Sequence, residues 1–351
     1  MGQQKRNGCL SGNDQRIIRR VAALVRGSLL HLPKNHSEVL FMHHGKRLKK
    51  GDTIGFIGPS GSIRTPGSLE KSVAMAEEMG FKVKMGESCG KVYGYLSGSD
   101  ELRARDVNAM FLDDEVDAIF CVKGGYGTMR MLDLLEYEAI KKHPKIFLGY
   151  SDITAMHIAF HEKANLATFH GPMPVSCWVD GMDDFSRDAL LNMLMQPEDE
   201  KPIVNPVGFE RKTLYPGQCE GLLVGGNLSL IDGLIGTPYE LDTKDRILFI
   251  EDVGERTYRL DHMFTHLRLA GKLDDCAGIV LGTFTDCPVE YPEFGLTLDE
   301  IIRDIILPCK KPVFTGLQAG HCSPNVTLPL GVKCHMDADA CTLTVLEKVV
   351  E

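Results

Sequence analysis

Short apolar runs separated by helical patterns organise the sequence from Thr53 to Phe160, and a chain patterned this way has few folds open to it. Strands joined through helices lie parallel, because each crossover returns the chain to the same end of the sheet. Thr53-Ile54-Gly55-Phe56-Ile57 reads as the first strand. It is followed by the loop Gly58-Pro59-Ser60-Gly61-Ser62, where Ser60 is expected as an ordinary turn residue, and by a helical pattern over 69–79. Phe81 to Met85 is the second strand, and Glu101 to Leu112 is a helix whose Arg103 and Arg105 are expected to face solvent. The third strand, Asp117 to Val122, ends at Lys123-Gly124-Gly125-Tyr126-Gly127 before a helix through Met131 to Leu135. The fourth, Ile146 to Leu148, runs into Gly149-Tyr150-Ser151. The prediction is an α/β fold whose loops converge at the carboxyl ends of parallel strands, where sites in open α/β sheets lie.

The periodic pattern is lost from about Asp180 to Pro216, a stretch that carries Pro197, Pro202, Pro206 and Pro216. A linker or crossover is expected over 181–216, separating a first domain at 49–180 from a second at 217–351. The second unit holds Gly221 to Leu228, a strand opening into a helix, then Arg246 to Ile250 leading to Glu251-Asp252, and Gly278 to Gly282. Its end carries the loop Gly320-His321-Cys322-Ser323-Pro324-Asn325 and two short β-type segments.

Charge sets the first residues apart. Positions 1–50 hold eleven Lys/Arg against Asp14 and Glu38, which leaves 28 basic and 46 acidic residues beyond position 50. An acidic body argues against nucleic acid as a partner. Residues 1–48 read as a basic extension outside the fold, and Ile17 to Arg26 has the amphipathic, Arg-rich, acid-poor composition of an organelle transit peptide. No apolar run approaches the roughly 18 to 20 residues that a membrane span needs. The eleven cysteines never fall in C-x-x-C spacing, which suggests neither a disulfide framework nor a zinc site and points to a cytosol-like compartment. The i, i+4 pairs His157/His161 and His262/His266 lack the acid of H-E-x-x-H, so they read as surface or core histidines rather than metal ligands. No metal or other cofactor is expected.

Ser151 sits where the fourth strand stops and a helical pattern starts, a turn that lifts a hydroxyl above the sheet edge and aims helix N–H groups at an oxyanion. Ordinary N-capping is the competing account, and Ile153 stands where G-x-S-x-G has its second glycine. A serine nucleophile needs a base and an acid to orient it. Glu251 ends an apolar strand and His321 lies in a Gly-rich loop, with His170 as a rival base and Asp152 and Asp252 as rival acids. Gly124 and Gly125 could bring a backbone N–H to Ser151 or cradle a phosphate. They fit neither G-x-G-x-x-G nor a P-loop.

Taken together, Lys123 to Gly127, Gly149 to Thr154, Thr168-Phe169-His170-Gly171-Pro172, Gly225 to Leu228, Glu251 to Glu255 and Gly320-His321 with Asn325 to Gly331 resemble the L,D-carboxypeptidase family of serine peptidases. That family includes muramoyl-tetrapeptide carboxypeptidases and microcin C self-immunity peptidases. The resemblance spans about 50–351, and Lys123 departs from it where arginine is expected. It implies a Rossmann-like domain followed by a smaller swivelling β/β/α domain, with a triad falling on Ser151, Glu251 and His321. It also implies an oxyanion hole from the N–H groups of Asp152 and of Gly124 or Gly125, with no metal. The implied reaction is release of D-alanine from a murein tetrapeptide in the cytoplasm by a homodimer. Tyr126, Tyr150, Arg256 and Arg259 are the candidate substrate contacts. Two other readings stand beside it: cleavage of an aminoacyl-nucleotide amide, which additional clasping aromatics beyond the single Trp178 would favour, and a non-catalytic binding module in which Ser151 is only a cap.

Overall fold

The computed structural model describes residues 42–179, 181–291 and 293–351; the amphipathic 17–26 stretch lies outside them. Strands β1 (Thr53–Ile57), β2 (Lys82–Met85), β3 (Ala118–Cys121), β4 (Ile146–Gly149) and β5 (Thr168–His170) form a parallel sheet in the order β2-β1-β3-β4-β5. Helices α1 (Ser68–Glu78), α2 (Asp100–Leu112), α3 (Tyr137–Lys142) and α4 (Thr154–Ala164) lie in the connections. Every residue of β3 and β4 is buried, as expected where both faces of a parallel sheet are covered. The helix read at Met131 to Leu135 is instead a 3-10 segment over Thr128–Leu134.

The expected linker is not featureless. It contains helix α5 (Asp184–Met195), capped by Asp183, and strands β6 (Lys201–Ile203) and β7 (Lys212–Tyr215), which become the two edges of a second sheet. The prolines that hide this from a periodicity reading are compatible with it, because an edge strand need not donate at every position; Pro202 lies within β6. Between those edges run β8 (Gln218–Asn227), β9 (Ile247–Val253), β10 (Gly278–Thr285) and β11 (Val313–Thr315), all parallel. Strand β12 (Leu328–Leu330) returns to the first sheet and pairs antiparallel with β5. After Gly331 the chain enters β13 (Val332–Asp337) and β14 (Thr342–Val345), which complete the second sheet. The C-terminal segment therefore stitches the two sheets together.

Helix α4 follows Ser151 and is buried along most of its length, including Ala155, Met156, Ile158, Ala159 and Phe160. A helix apolar on all sides has no solvent face to offer, so it fills the space between layers. Phe160 packs edge-on against Phe147 and Phe111 at 4.8 and 5.5 Å. Truncating such a ring to alanine costs about 3–5 kcal/mol. On its other side α4 meets helix α6 (Leu228–Leu234) and the end of β8, where Asn227 N–H donates to Thr154 Oγ1 at 3.0 Å. The nearly buried Arg246–Glu162 ion pair, 2.8 Å, bridges the same halves.

Two expectations need correction. Residues 42–48 belong to the fold: Leu48 is buried, its N–H donates to Leu194, and Arg47 N–H donates to Glu351. Arg103 does not face solvent but is fully buried, with its guanidinium on the carbonyls of Pro59 and Gly127 and on Asp100. Two loops and the first residue of its own helix deliver acceptors to the two terminal nitrogens, a convergence invisible in helix periodicity, while Nε has no partner. Arg105 is exposed, as read. Among the described residues no helix is long and apolar enough to cross a membrane, and every cysteine is a free thiol.

Candidate active site

Strand β4 delivers the chain to Ser151 with the hydroxyl-bearing residue in the left-handed region, φ 67°. An L-residue holds that conformation at a cost, and the surrounding packing must enforce it. Ile153 packs beneath Gly149, so a glycine at 153 is not what this turn needs. The turn 122–127 presses in from the side: a Cβ on Gly124 would stand 2.9 Å from Ser151 Cβ and 3.1 Å from its Oγ. Only glycine allows that approach.

The hydroxyl meets an imidazole from the other domain. His321 Nε2 is 3.0 Å from Ser151 Oγ, and its Nδ1 is 2.7 Å from Glu251 Oε2. With Nδ1–H donating to the carboxylate, Nε2 is left as an acceptor for the serine proton. His321 N–H also donates to Glu251 Oε2, at 3.2 Å, and the His321 carbonyl accepts from Thr285 Oγ1 at 2.7 Å. Gly320 permits this docking, since a Cβ there would lie 2.5 Å from Glu251 Oε2. Tyr150, itself buried, sets its ring edge-on to the imidazole at 4.9 Å.

Glu251 is completely buried in the second half of β9, two residues before Val253, and its Oε1 receives no hydrogen bond. Burial pushes its carboxyl above the ordinary range, while the bond from His321 pulls the other way. The rival acids have other work. Asp252 accepts from Asn227 Nδ2 and from Ser229 N–H and Oγ, at 3.0, 3.0 and 2.8 Å. Asp152 accepts from Ser60 Oγ at 2.6 Å and Thr128 N–H at 3.0 Å, so Ser60 is more than a turn residue: it ties its loop to the Ser151 turn. His170, the rival base, is buried with neither ring nitrogen bonded and lies between Tyr150 and Phe249. Desolvation holds it well below the usual histidine range, and it makes no hydrogen bond to Ser151.

The backbone donors fit an acyl-transfer site. Gly124 and Gly125 sit on the turn that touches Ser151, and their N–H groups have no hydrogen-bond partner among the described residues. Asp152 N–H belongs to the single 3-10 turn that leads into α4. Unengaged N–H donors beside a nucleophile can receive the charge of a tetrahedral intermediate.

A cavity of about 600 Å³ opens beside His321, lined among others by Tyr150, Cys177, Asp183, Thr285, Asp286 and Cys322. Tyr126 is half-exposed, edge-on to Tyr95 at 5.5 Å, and does not line this cavity. Arg256 and Arg259 are exposed and do not line the cavity; the Arg259 guanidinium lies 3.7 Å from Glu255. Trp178 is buried between Phe56 and Phe120, where it can clasp no ligand. His157 bonds the Gly149 carbonyl, His161 bonds Thr168, and His266 bonds Asp232. Among the described residues no group of three or more His, Cys, Asp or Glu is arranged to hold a metal.

Comparison with known proteins places this geometry in context. Residues 54–171 match the LD-carboxypeptidase N-terminal domain and residues 220–336 the LD-carboxypeptidase C-terminal domain. The "probable murein peptide carboxypeptidase" of Bacillus subtilis is 40% identical over 298 residues, covering 83% of this chain and 91% of that protein. The structure of the microcin C7 self-immunity protein MccF, known from Escherichia coli, in complex with glutamyl sulfamoyl guanosine superposes with a TM-score of 0.82 at 25% identity, over 88% of this chain and 99% of that one. A muramoyltetrapeptide carboxypeptidase from Oxalobacter formigenes superposes with a TM-score of 0.75 at 28% identity, over 84% and 97%.

Proposed function

This chain belongs to the LD-carboxypeptidase family, and we propose on that footing that it is a serine carboxypeptidase releasing the terminal D-alanine of a murein tetrapeptide. The observation that carries the reading is the hydrogen-bonded chain from Ser151 through His321 to Glu251, with donors from two domains. His321 Nε2 takes the serine proton as Oγ attacks the carbonyl before D-alanine, and Glu251 stabilises the imidazolium. The N–H groups of Gly124 or Gly125 and of Asp152 hold the oxyanion. His321 then gives its proton to the leaving amine, and an acyl-enzyme on Ser151 remains for water to resolve. No step in this scheme requires a metal.

A murein peptide recycled inside the cell fits a cytoplasmic homodimer, the form in which we place the protein. The likeness to MccF supports a second reading, cleavage of an aminoacyl-nucleotide amide.

Incubation with L-Ala-D-Glu-meso-diaminopimelate-D-Ala tests the proposal. Free D-alanine is expected from wild type and not from Ser151→Ala. Turnover surviving in the variant would overturn the mechanism, and hydrolysis of an aminoacyl sulfamoyl nucleotide in place of the tetrapeptide would overturn the substrate.

A further inference from the structure

A carboxypeptidase must tell a chain end from a chain interior, and the difference is one negative charge two bonds from the scissile nitrogen. The body of this protein repels that charge, with 46 acidic against 28 basic residues beyond position 50. A local cation close to Ser151 would offset that repulsion. We propose that Lys123 is that cation and receives the terminal carboxylate of the substrate, an assignment that rests on the carboxypeptidase reading above.

Most basic side chains near the site are spoken for. Arg103 and Arg130 both pair with Asp100, Arg246 pairs with Glu162, and Arg259 leans toward Glu255. Lys123 is half-buried, and among the described residues no carboxylate lies within ion-pair distance of its ammonium. Its hydrogen bond is a long one, 3.4 Å to the carbonyl of Ser62. An ammonium carries three donors, and a half-buried one with a single weak acceptor is under-satisfied. Ser62 is unsatisfied as well: it is 2% exposed and its hydroxyl has no partner. An ammonium and a hydroxyl lacking acceptors at one place are the two donors that a carboxylate would take up.

The position suits the task. Lys123 directly precedes Gly124, whose Cα approaches Ser151 closely enough that a methyl group would collide with it. Gly61 N–H donates to the Gly124 carbonyl at 3.2 Å, which fixes the Ser60-Gly61-Ser62 loop against the same turn. Donors for the oxyanion and for the terminal carboxylate then come from adjacent residues of one turn. Arg256 is the competing cation, but it is exposed at the start of helix α7 (Thr257–Leu269), where water already solvates it, whereas Lys123 is half-buried.

The experiment compares the tetrapeptide ending in D-alanine with the same peptide ending in D-alaninamide, using the full chain and the variants Lys123→Met, Lys123→Arg and Arg256→Ala. Loss of one charge-assisted contact is expected to raise KM for the acid about 10- to 100-fold in Lys123→Met. The amide should be unaffected, so the preference for the acid collapses. Lys123→Arg should restore most of it, and Arg256→Ala should retain it. Labelling of Ser151 by a serine-reactive phosphonate reports that each variant is folded. An unchanged acid-to-amide ratio in Lys123→Met overturns the assignment, and so does an equal fall of both substrates in kcat. Wild-type protein inactive on both peptides would instead sink the carboxypeptidase reading, and this assignment with it.

Discussion

Two buried carboxylates lie at this site, one from each domain, and they live differently. Asp152 follows Ser151 and is 2% exposed, yet a hydroxyl and a backbone N–H from two other loops converge on its Oδ2. Glu251 lies two residues before the end of β9 in the second sheet, with no exposure and one oxygen on His321. Burial raises both carboxyls from their ordinary range. What differs is the partner. Asp152 spends its charge on groups that cannot take up a proton, so it can only hold loops together. Glu251 spends its charge on a ring that can.

The comparison breaks first at the nucleophile. Ser151→Ala should lower kcat by about 10⁵- to 10⁶-fold, measured as D-alanine release, because members of such a chain act as a unit. Glu251→Gln should lower kcat by about 10³- to 10⁴-fold while leaving KM nearly unchanged. Its stability should move the other way. A carboxyl whose folded pKa is raised disfavours the folded state once pH exceeds the unfolded value, so the amide variant should resist urea at least as well as wild type at neutral pH. The two proteins should converge in stability below the carboxylate range. Asp152→Ala should do the reverse: stability falls by about 1–3 kcal/mol for each donor left buried without an acceptor, and the activity lost should track the loosened Ser60 and Thr128 loops. If Glu251→Gln proved the less stable of the two, the contrast between the carboxylates would fail.

Much of this was legible in the sequence, for reasons that differ by element. Strands β3 and β4 are continuous apolar runs because both sheet faces are covered, and the break at Gly149 marks a turn whatever follows. Glu251 was conspicuous because a carboxylate has no reason to end an apolar strand unless it is engaged. The pairing of Glu251 with His321 could not be read from spacing, since seventy positions and a fold separate them. Residues alone left His170 and Asp152 as rivals. Only three-dimensional burial shows the first without a hydrogen-bonded partner and the second occupied elsewhere. Arg103 was misread because a helix that packs one end into converging loops looks, in one dimension, like any charged helix. Strands β6 and β7 were hidden by prolines that an edge position tolerates.

The smallest effect concerns pH. His157 is buried against the Gly149 carbonyl, and desolvation brings it down to about 4. A base depressed in the fold contributes stability that is present above its unfolded value near 6.5 and is lost as pH falls toward 4. Urea midpoints should therefore decline across that window, and His157→Gln should make the decline shallower, with the buried His161 and His170 supplying the remainder.

The account turns on one claim, that His321 held by Glu251 activates Ser151 across the domain boundary. The rate at which a fluorophosphonate labels the protein, with the adduct located by peptide mass, measures this without assuming a substrate. Wild type should carry a single adduct on Ser151, and Glu251→Gln should slow labelling by about 10²-fold or more while the protein remains folded. An adduct on another residue, or a labelling rate that Glu251→Gln leaves unchanged, would contradict it.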